Sequence, residues 1–326
     1  MTGFDLSVVI STRNRGASLR ATLSSLISAD RPGIRAEIVV VDNGGSDDTE
    51  AVVASFAPDV PIRYLRENAI GKCHALNKGV AAASGAILAV LDDDMTVDRE
   101  WLRAVVDICG RYPDADVFGG SIRVVFPSGD IPEWAKQRMI FSEIFSANEF
   151  DSEGPLSAGM WFSGNHFWFR SRALSRGVRF ADTWVTEGKF QLDLIDRGAA
   201  AVSCPAAVAH HHIQRDLLSP DVVIARARRA GVAFARVRLQ PYRPHVRSAR
   251  MLHEHPILTR LFLYARYLRG VAWHGFSVRH PDSSPAFASR VVALNRITLN
   301  REYLRIANQC AEYSVRRSVR VRALPV

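Results

Sequence analysis

Three consecutive carboxylates, Asp92–Asp94, directly follow the apolar run 85–91. Such a run predicts a buried strand, and the edge beyond the carboxyl end of a strand is where open α/β sheets bind ligands. Carboxylates about 4 Å apart repel by roughly 4 kcal/mol per pair at an effective dielectric of about 20, so the cluster needs a neutralising partner. A hard divalent cation whose shell is completed by phosphates suits these oxygen ligands. The alternative is a plain acidic turn, with Asp98 or Glu100 capping the next helix.

Two other polar residues follow predicted strands. Asp42 comes directly after the apolar run 38–41, and Lys72 stands beside Gly71 after the run 62–65. A carboxylate at a strand end can accept hydrogen bonds from ring N–H or ribose hydroxyl groups of a nucleotide. A lysine beside a glycine suits a contact to phosphate or to a sugar hydroxyl. Taken singly, Asp42 is more typical of a turn and Lys72 of a solvated helix start.

The elements that must position these residues alternate between strands and helices. Short apolar runs predict strands, and apolar residues three or four apart, as at Leu19, Leu23 and Leu26, predict helices. The predicted strands cover residues 6–10, 38–41, 62–65, 85–91, 117–125 and 202–209. The alternation indicates an α/β fold with the polar residues at its strand ends.

Composition and absent motifs argue against several classes of protein. The loop after the first predicted strand lacks the Gly-x-Gly-x-x-Gly spacing of a dinucleotide site, so an NAD enzyme is set aside. The four cysteines are too scattered for a metal knuckle or a disulfide framework and fit a reducing compartment. The first residues show no basic segment followed by an apolar one, and no apolar run reaches the roughly 20 residues that span a bilayer. We therefore predict a cytoplasmic protein.

Charge divides the chain near residue 213. Residues 1–212 contain 21 Lys and Arg against 27 Asp and Glu, a net charge of −6. Residues 213–326 contain 21 Arg, no Lys and 6 Asp and Glu, a net charge of +15. Apolar residues at spacings of three and four, from Val223 onward and in 258–268 and 291–306, predict a mainly helical extension. We predict one domain over 1–212 and a basic helical region over 213–326.

An ordered set of motifs runs through the first of these domains. They are Asp42-x-Gly-x-Ser46-x-Asp48-Thr49, then Gly71-Lys72 with Ala75-Leu76-Asn77-x-Gly79, then Leu91-Asp92-Asp93-Asp94 with Trp101-Leu102. In this order and separation they resemble glycosyltransferase family 2, whose enzymes have the nucleotide-sugar-binding fold called GT-A. The resemblance covers residues 5–212. It implies a Rossmann-like, mostly parallel central sheet flanked by helices.

The resemblance implies roles for individual residues. The loop after the first strand meets the nucleotide, and the family's carboxylate at Asp42 contacts the base, usually uracil. Asp92–Asp94 match the Asp-x-Asp signature, whose first acid faces the ribose side and whose last acid holds Mn²⁺ or Mg²⁺ on the diphosphate. Such a cation would neutralise the charge that builds on the leaving nucleotide diphosphate. The implied donor-binding residues are Thr12, Arg13, Asp42, Lys72, Asn77, Asp92, Asp93 and Asn165.

Two later segments supply the implied sugar pocket and base. Residues 163–170 resemble the family's Gly-x-Asn-x-x-Phe-Arg segment, in which Asn165 would hydrogen-bond a sugar hydroxyl. Glu187 aligns best with the carboxylate base that takes the acceptor's proton in an inverting transfer. The family usually has an adjacent Glu-Asp pair here, whereas this chain has a single acid, so Asp182 is the alternative base. Glu187 is also typical of an ordinary acid at a helix N-terminus.

Three histidines, His210–His212, follow the last predicted strand. Counting from Pro205 against the family's interval selects His211 as the third metal ligand, and a shift of one residue selects His210. On an extended segment, His211 points away from the other two. The implied metal ligands are Asp94, Asp92 and either His211 or His210, for Mn²⁺ or Mg²⁺. Histidines with purely polar surface roles are the alternative.

The arginine-rich region 213–326 favours bidentate partners such as phosphate or carboxylate. An anionic membrane surface with a lipid-linked acceptor and a phosphorylated or acidic acceptor both fit, as does a merely solvated surface. Nucleic acid is disfavoured because no recognition-helix or RNA-stacking motif accompanies the charge. A membrane partner would place the protein at the inner face of the membrane.

The motifs together predict a metal-dependent inverting glycosyltransferase. It would move one sugar from a nucleotide diphosphate sugar, favoured to be UDP-linked, to a hydroxyl acceptor that is a sugar, a lipid-linked molecule or a small molecule, as in cell-surface polysaccharide or glycolipid synthesis. Gln214 does not begin a Gln-x-x-Arg-Trp motif, because Asp216 and Leu217 follow Gln214-Arg215. The absence of that motif argues against a processive synthase. A retaining transferase of the same fold and a non-catalytic donor-binding or membrane-scaffold protein are the alternatives. The irregular segment 127–155 is either an active-site lid or a surface excursion.

Overall fold

The structure is a computed structural model of the chain. It describes residues 3–157, 160–183 and 186–238, together with 265, 267–268, 291–294 and 296–302. The chain divides into two compact units: Met1–Asp130 with Phe145–Arg215, and Ile131–Ile144 with Asp216–Val326. The second unit includes a segment, 131–144, that the charge-based division assigns to the first domain.

A nine-stranded mixed sheet forms the centre of the first unit, in the order β3-β2-β1-β4-β8-β6-β9-β5, with β7 paired to β9. The strands are β1 (Leu6–Thr12), β2 (Ala36–Asp42), β3 (Ile62–Arg66), β4 (Ile87–Leu91), β5 (Met95–Val97), β6 (Ala115–Val125), β7 (Gly154–Pro155), β8 (His166–Arg170) and β9 (Ala200–His212). The parallel pairings β1–β2, β1–β4, β2–β3 and β6–β9 include the longest in the sheet.

Helices lie between these strands and after the last one. They are α1 (Gly16–Ser28), α2 (Thr49–Ala54), α3 (Lys72–Ala82), α4 (Trp101–Arg111), α5 (Arg138–Glu143), α6 (Thr186–Asp196) and α7 (Pro220–Arg238), with 3-10 turns at Glu133–Lys136, Ser171–Arg176 and Arg215–Leu218. Of the helices, α5 and α7 belong to the second unit. The predicted leucine spacing is confirmed in α1, where Leu19, Leu23 and Leu26 are buried.

The apolar strands β1, β2 and β4 align in parallel. Their residues are almost all buried, as expected for strands covered on both faces. The pairing of β1 with β2 runs from Leu6↔Ala36 to Thr12↔Asp42, and β4 pairs with β1 from Leu6↔Ile87. Because β1 pairs in parallel with both β2 and β4, the residues after all three strands meet at one edge of the sheet. The predicted placement of the acids beyond a buried strand is thereby confirmed.

Antiparallel neighbours bring the later segments to the same edge. β8 runs against β4, with His166 opposite Leu91. β9 runs against β5, with His211 opposite Met95. The turn that joins β4 to β5 therefore lies between the start of β8 and the end of β9.

The buried core beneath this edge is rich in aromatic rings. Phe167 and Phe169 of β8 pack with Phe190 of α6, and Phe180 stacks on Phe190 with ring centroids 4.0 Å apart. On the neighbouring strand, Gly119 is required for packing, because a Cβ there would lie 2.2 Å from the ring of Phe162. Close contacts of this kind leave β8 and α6 little freedom to shift, so the residues at their ends are held in place.

Two sequence predictions need correction or completion. The last strand was predicted to end at residue 209, but β9 continues through His212 because β5 and β6 pair with its histidines. The segment 127–155 is not wholly irregular, since it contains α5, the 3-10 turn Glu133–Lys136 and β7.

In the second unit, α7 buries Val223, Ala227 and Ala230, while Arg228 and Arg229 are exposed. Residues 291–294 and 296–302 are helical, as predicted, whereas most of the predicted helix 258–268 lies outside the described residues. Within the part of the chain that the structure describes, no helix is both long and apolar enough to cross a membrane.

Candidate active site

The acid turn Asp92–Asp94 contacts Thr12, the last residue of β1, and Arg15 of the loop that follows β1. Thr12 Oγ1 donates a 2.7 Å hydrogen bond to Asp93 Oδ2. Arg15 Nη1 lies 3.0 Å from Asp93 Oδ1 and 2.9 Å from Asp94 Oδ2. The side chains of Asp93 and Asp94 are 6% and 8% exposed, so these are contacts to largely desolvated charges. The parallel register of β1 with β4 is what brings the loop to the acids.

Lys72 joins the first acid of the turn to the predicted base. Its Nζ lies 2.6 Å from Asp92 Oδ1 and 2.5 Å from Glu187 Oε1. Lys72 begins α3 after Gly71, and Glu187 stands in the first turn of α6. A Cβ at Gly164 would lie 2.9 Å from the Glu187 side chain, so the glycine allows this carboxylate to approach the start of β8.

Of the three histidines, His211 faces the acid turn. Its Nε2 lies 3.7 Å from Asp94 Oδ2, and its Nδ1 lies 2.6 Å from the carbonyl oxygen of Phe145. Because a carbonyl only accepts, Nδ1 carries the hydrogen and Nε2 is the ring atom presented to Asp94. His210 and His212 share the other face of β9, where they bond Asp98 at 2.7 Å and Thr96 at 2.8 Å. Of the two predicted alternatives, His211 therefore lies beside Asp94, and His210 lies on the opposite face of β9.

The residues around Asp94 fit the divalent cation that the resemblance implies. Asp94 Oδ1 is buried without a hydrogen-bond partner, and His211 presents an imidazole nitrogen of fixed tautomer beside the other oxygen. Carboxylate and imidazole are both ligands of Mn²⁺. Among the described residues, no group of three or more His, Cys, Asp and Glu side chains is arranged to hold a metal by itself. A cation here would need further ligands from a substrate.

The electrostatics of the turn distinguish its acids. Burial alone would raise the pKa of Asp94, but the positive charges of Arg15 and of His211 in its protonated form hold it at about 2. Burial raises the pKa of Asp92 to about 6 against the attraction of Lys72, and it also raises the pKa of Asp93. Asp94 is thus the acid whose ionised form the site stabilises most, as a metal ligand requires.

The predicted nucleotide-contacting acid is held at the end of β2. Asp42 is buried, with Oδ1 accepting the Gly45 N–H at 2.7 Å and Oδ2 accepting the Tyr64 hydroxyl at 2.8 Å. Burial and Asp42 together raise the pKa of Tyr64 to about 12. Each carboxylate oxygen has a second lone pair, so Asp42 can accept another hydrogen bond. Arg13 is exposed in the loop after β1.

The remaining predicted residues lie in different surroundings. Asn77 bonds the backbone of Phe180 through both ends of its amide, at 2.8 and 3.0 Å. Asn165 lies beside the turn, where its backbone carbonyl accepts the Asp92 N–H at 3.2 Å and its buried side-chain Oδ1 has no hydrogen-bond partner. Asp182 is exposed, in contrast to the buried Glu187.

Arg15 is the residue that the sequence analysis missed. The signal was available, because three adjacent acids require cations and the loop after the neighbouring strand carries two arginines. Which of Arg13 and Arg15 would reach the acids depends on the path of the loop, where Asn14 has a positive φ of 54°. Sequence spacing does not reveal that path.

Comparison with known proteins identifies the family. The family model described as glycosyl transferase family 2 matches residues 7–177, just over half of the chain. The chain therefore belongs to glycosyl transferase family 2, as its motifs predict.

Several curated relatives share part of the chain. It is 33% identical over 127 residues to glycosyltransferase AglE of Haloferax volcanii, which covers 38% of this chain and 41% of AglE. It is 28% identical over 145 residues to glucosyl-dolichyl phosphate glucuronosyltransferase of the same organism, and the match covers 43% of this chain and 43% of the relative. It is 35% identical over 103 residues to validoxylamine A glucosyltransferase of Streptomyces hygroscopicus subsp. limoneus, covering 31% and 23%. The chain matches less than half the length of these relatives.

Solved structures share the fold over nearly the whole chain. Mannosyltransferase PcManGT from Pyrobaculum calidifontis, solved with GDP-Man and Mn²⁺, has a TM-score of 0.61 at 19% identity and covers 93% of this chain and 88% of its own. S. aureus TarS 1–349 in complex with UDP-GlcNAc has a TM-score of 0.55 at 15% identity, with coverage of 94% and 92%. At these identities the likeness concerns the fold, which is a GT-A-like mixed α/β sheet.

Proposed function

We propose that the chain is a metal-dependent, inverting glycosyltransferase that moves one sugar from a nucleotide diphosphate sugar to a hydroxyl acceptor. The observation that carries the proposal is the meeting of buried Asp94, whose Oδ1 lacks a partner, with the correctly oriented Nε2 of His211. Family membership supports it, as does the likeness in fold to proteins solved with GDP-Man and Mn²⁺ or with UDP-GlcNAc. We favour a UDP-linked donor, since Asp42 occupies the position of the family's uracil-contacting carboxylate.

The residues of the turn divide the work of binding. Asp94 and His211 would hold the cation, with Asp92 as a further ligand, and a bound Mn²⁺ or Mg²⁺ supplies Lewis-acid stabilisation of the leaving diphosphate. Thr12 fixes Asp93, and the Phe145 carbonyl fixes the His211 ring. These contacts orient the side chains of Asp93 and His211 before substrate arrives, which lowers the cost of binding.

We propose that Glu187 acts as the base. In the transfer, the acceptor oxygen bonds to the anomeric carbon while its proton passes to the Glu187 carboxylate. The bond between that carbon and the diphosphate oxygen breaks, and its electron pair leaves with the nucleotide diphosphate. The ammonium group of Lys72 contacts both Glu187 and Asp92, so the proposed base lies beside the proposed donor-binding acid. Positioned general bases typically contribute about 10²–10⁴-fold.

The basic region suggests where the acceptor is met. Arg228 and Arg229 of α7 are exposed, and residues 213–326 carry a net charge of +15. One relative is named for a reaction on glucosyl-dolichyl phosphate, a lipid-linked molecule. We therefore propose a lipid-linked acceptor, reached from the cytoplasmic face of an anionic membrane.

A donor screen tests the proposal. Release of UDP or GDP from a panel of activated sugars is measured with and without Mn²⁺, for the wild-type chain and for Asp94→Asn. We expect hydrolysis or transfer from one donor class with Mn²⁺ only, and a loss of at least 100-fold in the variant. NMR of the product then assigns the anomeric configuration, which separates inversion from retention.

Asp107→Asn is the matched control. Asp107 is an exposed acid on α4 that forms an ion pair with Arg103, so this variant makes the same charge change away from the turn. Its activity should equal that of the wild type. Undiminished activity of Asp94→Asn, or equal rates with EDTA and with Mn²⁺, would remove the metal from the proposal.

A further inference from the structure

The chain itself supplies an ion-pair partner for every acid of the turn. Lys72 lies against Asp92, and Arg15 bridges Asp93 and Asp94 through a single nitrogen, Nη1. Lys72 also has a second anionic partner, Glu187. The structure describes no acid other than Asp93 and Asp94 in an ion pair with Arg15, so the arginine lies against Asp94, the carboxylate that the proposed cation would use.

Arg15 differs from its partners in exposure. Its side chain is 45% exposed, whereas the side chains of Asp93 and Asp94 are 6% and 8% exposed. It ends the loop after β1, directly before α1. Because only Nη1 makes these contacts, three of the five guanidinium N–H donors, those on Nη2 and Nε, remain for another ligand. The arginine can therefore reach toward solvent, while the acids are fixed.

A cation on Asp94 and the guanidinium of Arg15 would compete. Both are positive, both would use the same carboxylate, and their repulsion rises as the distance between them falls. A nucleotide diphosphate changes this balance, because its oxygens offer the planar guanidinium a bidentate anionic partner. Arg15 could then release the carboxylates without losing a counter-charge.

We propose that Arg15 is a resident counter-ion that moves from Asp93 and Asp94 to the diphosphate of the donor, and so couples binding of the cation to binding of the nucleotide. This inference rests on the proposed function. Arg15 is a positioning residue for the carboxylates and, once moved, a ligand of the donor. Lys72 would stay with Asp92 and Glu187 throughout.

The coupling has a measurable consequence in each direction. Without nucleotide, Arg15 competes with the cation, so the cation alone binds weakly. With nucleotide, the competitor becomes an attractive contact, so the two ligands strengthen each other by the same factor. Replacing Arg15 with a neutral residue removes both effects. The cation alone should bind more tightly, and the nucleotide should bind more weakly in the presence of the cation.

Two titrations on the full chain test this. The first measures Mn²⁺ binding alone by electron paramagnetic resonance of the free ion, and the second measures UDP binding at saturating Mn²⁺ by calorimetry. For Arg15→Gln we expect about tenfold tighter Mn²⁺ binding and about tenfold weaker UDP binding, within the usual range of coupling factors. Arg20→Gln is the matched control, since Arg20 is an exposed α1 residue that contacts Ser55 and the Phe56 ring, and both its affinities should stay at wild-type values.

The outcomes separate this inference from the proposed function. Suppose that the wild type binds both ligands. If Arg15→Gln then binds Mn²⁺ no more tightly than the wild type, or binds UDP equally well, the role of Arg15 is overturned and the proposed function stands. A wild-type chain that binds neither Mn²⁺ nor UDP overturns both. If Arg15→Gln does not fold, Arg15→Lys decides. It keeps the competing charge but loses the bidentate contact, so Mn²⁺ binding should stay near wild type while UDP binding weakens several-fold, and unweakened UDP binding overturns the proposal.

Discussion

Glu187 and Asp182 are the two acids that the sequence offers as the base, and burial distinguishes them. Glu187 is 8% exposed and ion-paired with Lys72, which also holds Asp92. Asp182 is exposed. A base must stand at a fixed distance from the reacting hydroxyl, and a buried carboxylate anchored through Lys72 meets that need better than an exposed one.

Substituting the two acids in turn tests this distinction. Glu187→Gln should lower kcat by about 10²–10⁴, because the amide keeps the shape of the side chain but cannot accept the proton. Asp182→Asn should leave kcat near the wild-type value, because an exposed carboxylate is not held at a fixed distance from the reacting hydroxyl. Both variants are assayed for transfer and for UDP binding, and the UDP affinity should hold in each. A larger loss in Asp182→Asn than in Glu187→Gln would transfer the assignment to Asp182.

Single residues show where sequence analysis succeeds. The acid triplet can be recognised from the sequence because three adjacent charges after an apolar run need a neutralising partner in any fold. The contact of Arg15 with Asp93 and the use of Asn77 to hold Phe180 were not found, since they join residues 78 and 103 positions apart. Such contacts depend on the path of two loops, which no local pattern contains.

At the scale of elements, one buried polar pair links α4 to β8. Trp101 Nε1 donates a 2.7 Å hydrogen bond to His166 Nε2, and both residues are fully buried. Burial lowers the pKa of His166 to about 3. The folded chain therefore keeps this imidazole neutral, whereas the unfolded chain protonates it below about pH 6.5. Between these pH values the unfolded state binds more protons, so stability falls as the pH is lowered.

The direction of this pH dependence gives a prediction about the free energy of unfolding. At pH 5 the unfolded His166 gains about 2 kcal/mol from protonation, since each pH unit below 6.5 is worth about 1.4 kcal/mol. His166→Gln keeps an acceptor for Trp101 and removes the titration. Urea unfolding at pH 7 and pH 5 should show the wild type losing about 2 kcal/mol more free energy of unfolding than the variant. Equal losses in the two proteins would show that His166 titrates normally in the fold.

The elements were easier to predict than their ends. Apolar runs such as 38–41 and 85–91 predict their strands because the residues of a strand that is buried on both faces must be apolar. The end of β9 was missed since polar histidines continue it, and only pairing with β5 and β6 keeps them extended. The same pairing decides that His211, rather than His210, faces Asp94. Long-range register thus completed the candidate site that local spacing had left open.

At the scale of the whole molecule, the uneven distribution of charge predicts attraction to an anionic membrane. A net charge of −6 over residues 1–212 is set against +15 over 213–326, all of whose basic residues are arginines. Arg228 and Arg229 are exposed on α7. An anionic membrane surface attracts such a region by about 1 kcal/mol for each basic residue that comes near it. The acidic part of the chain would be repelled by the same surface.

Vesicle binding of the full chain tests this. Vesicles containing phosphatidylglycerol should bind the wild type, with an affinity that falls as salt is raised because screening shortens the range of the attraction. Arg228→Glu with Arg229→Glu should weaken binding by at least about 30-fold, since two contacts of about 1 kcal/mol each are lost and repulsion is added. Arg20→Glu with Arg103→Glu makes the same net charge change at exposed positions of α1 and α4, and should leave binding near the wild-type value. Equal weakening in both double variants would mean that net charge, and not a surface formed by α7, attracts the chain to the membrane.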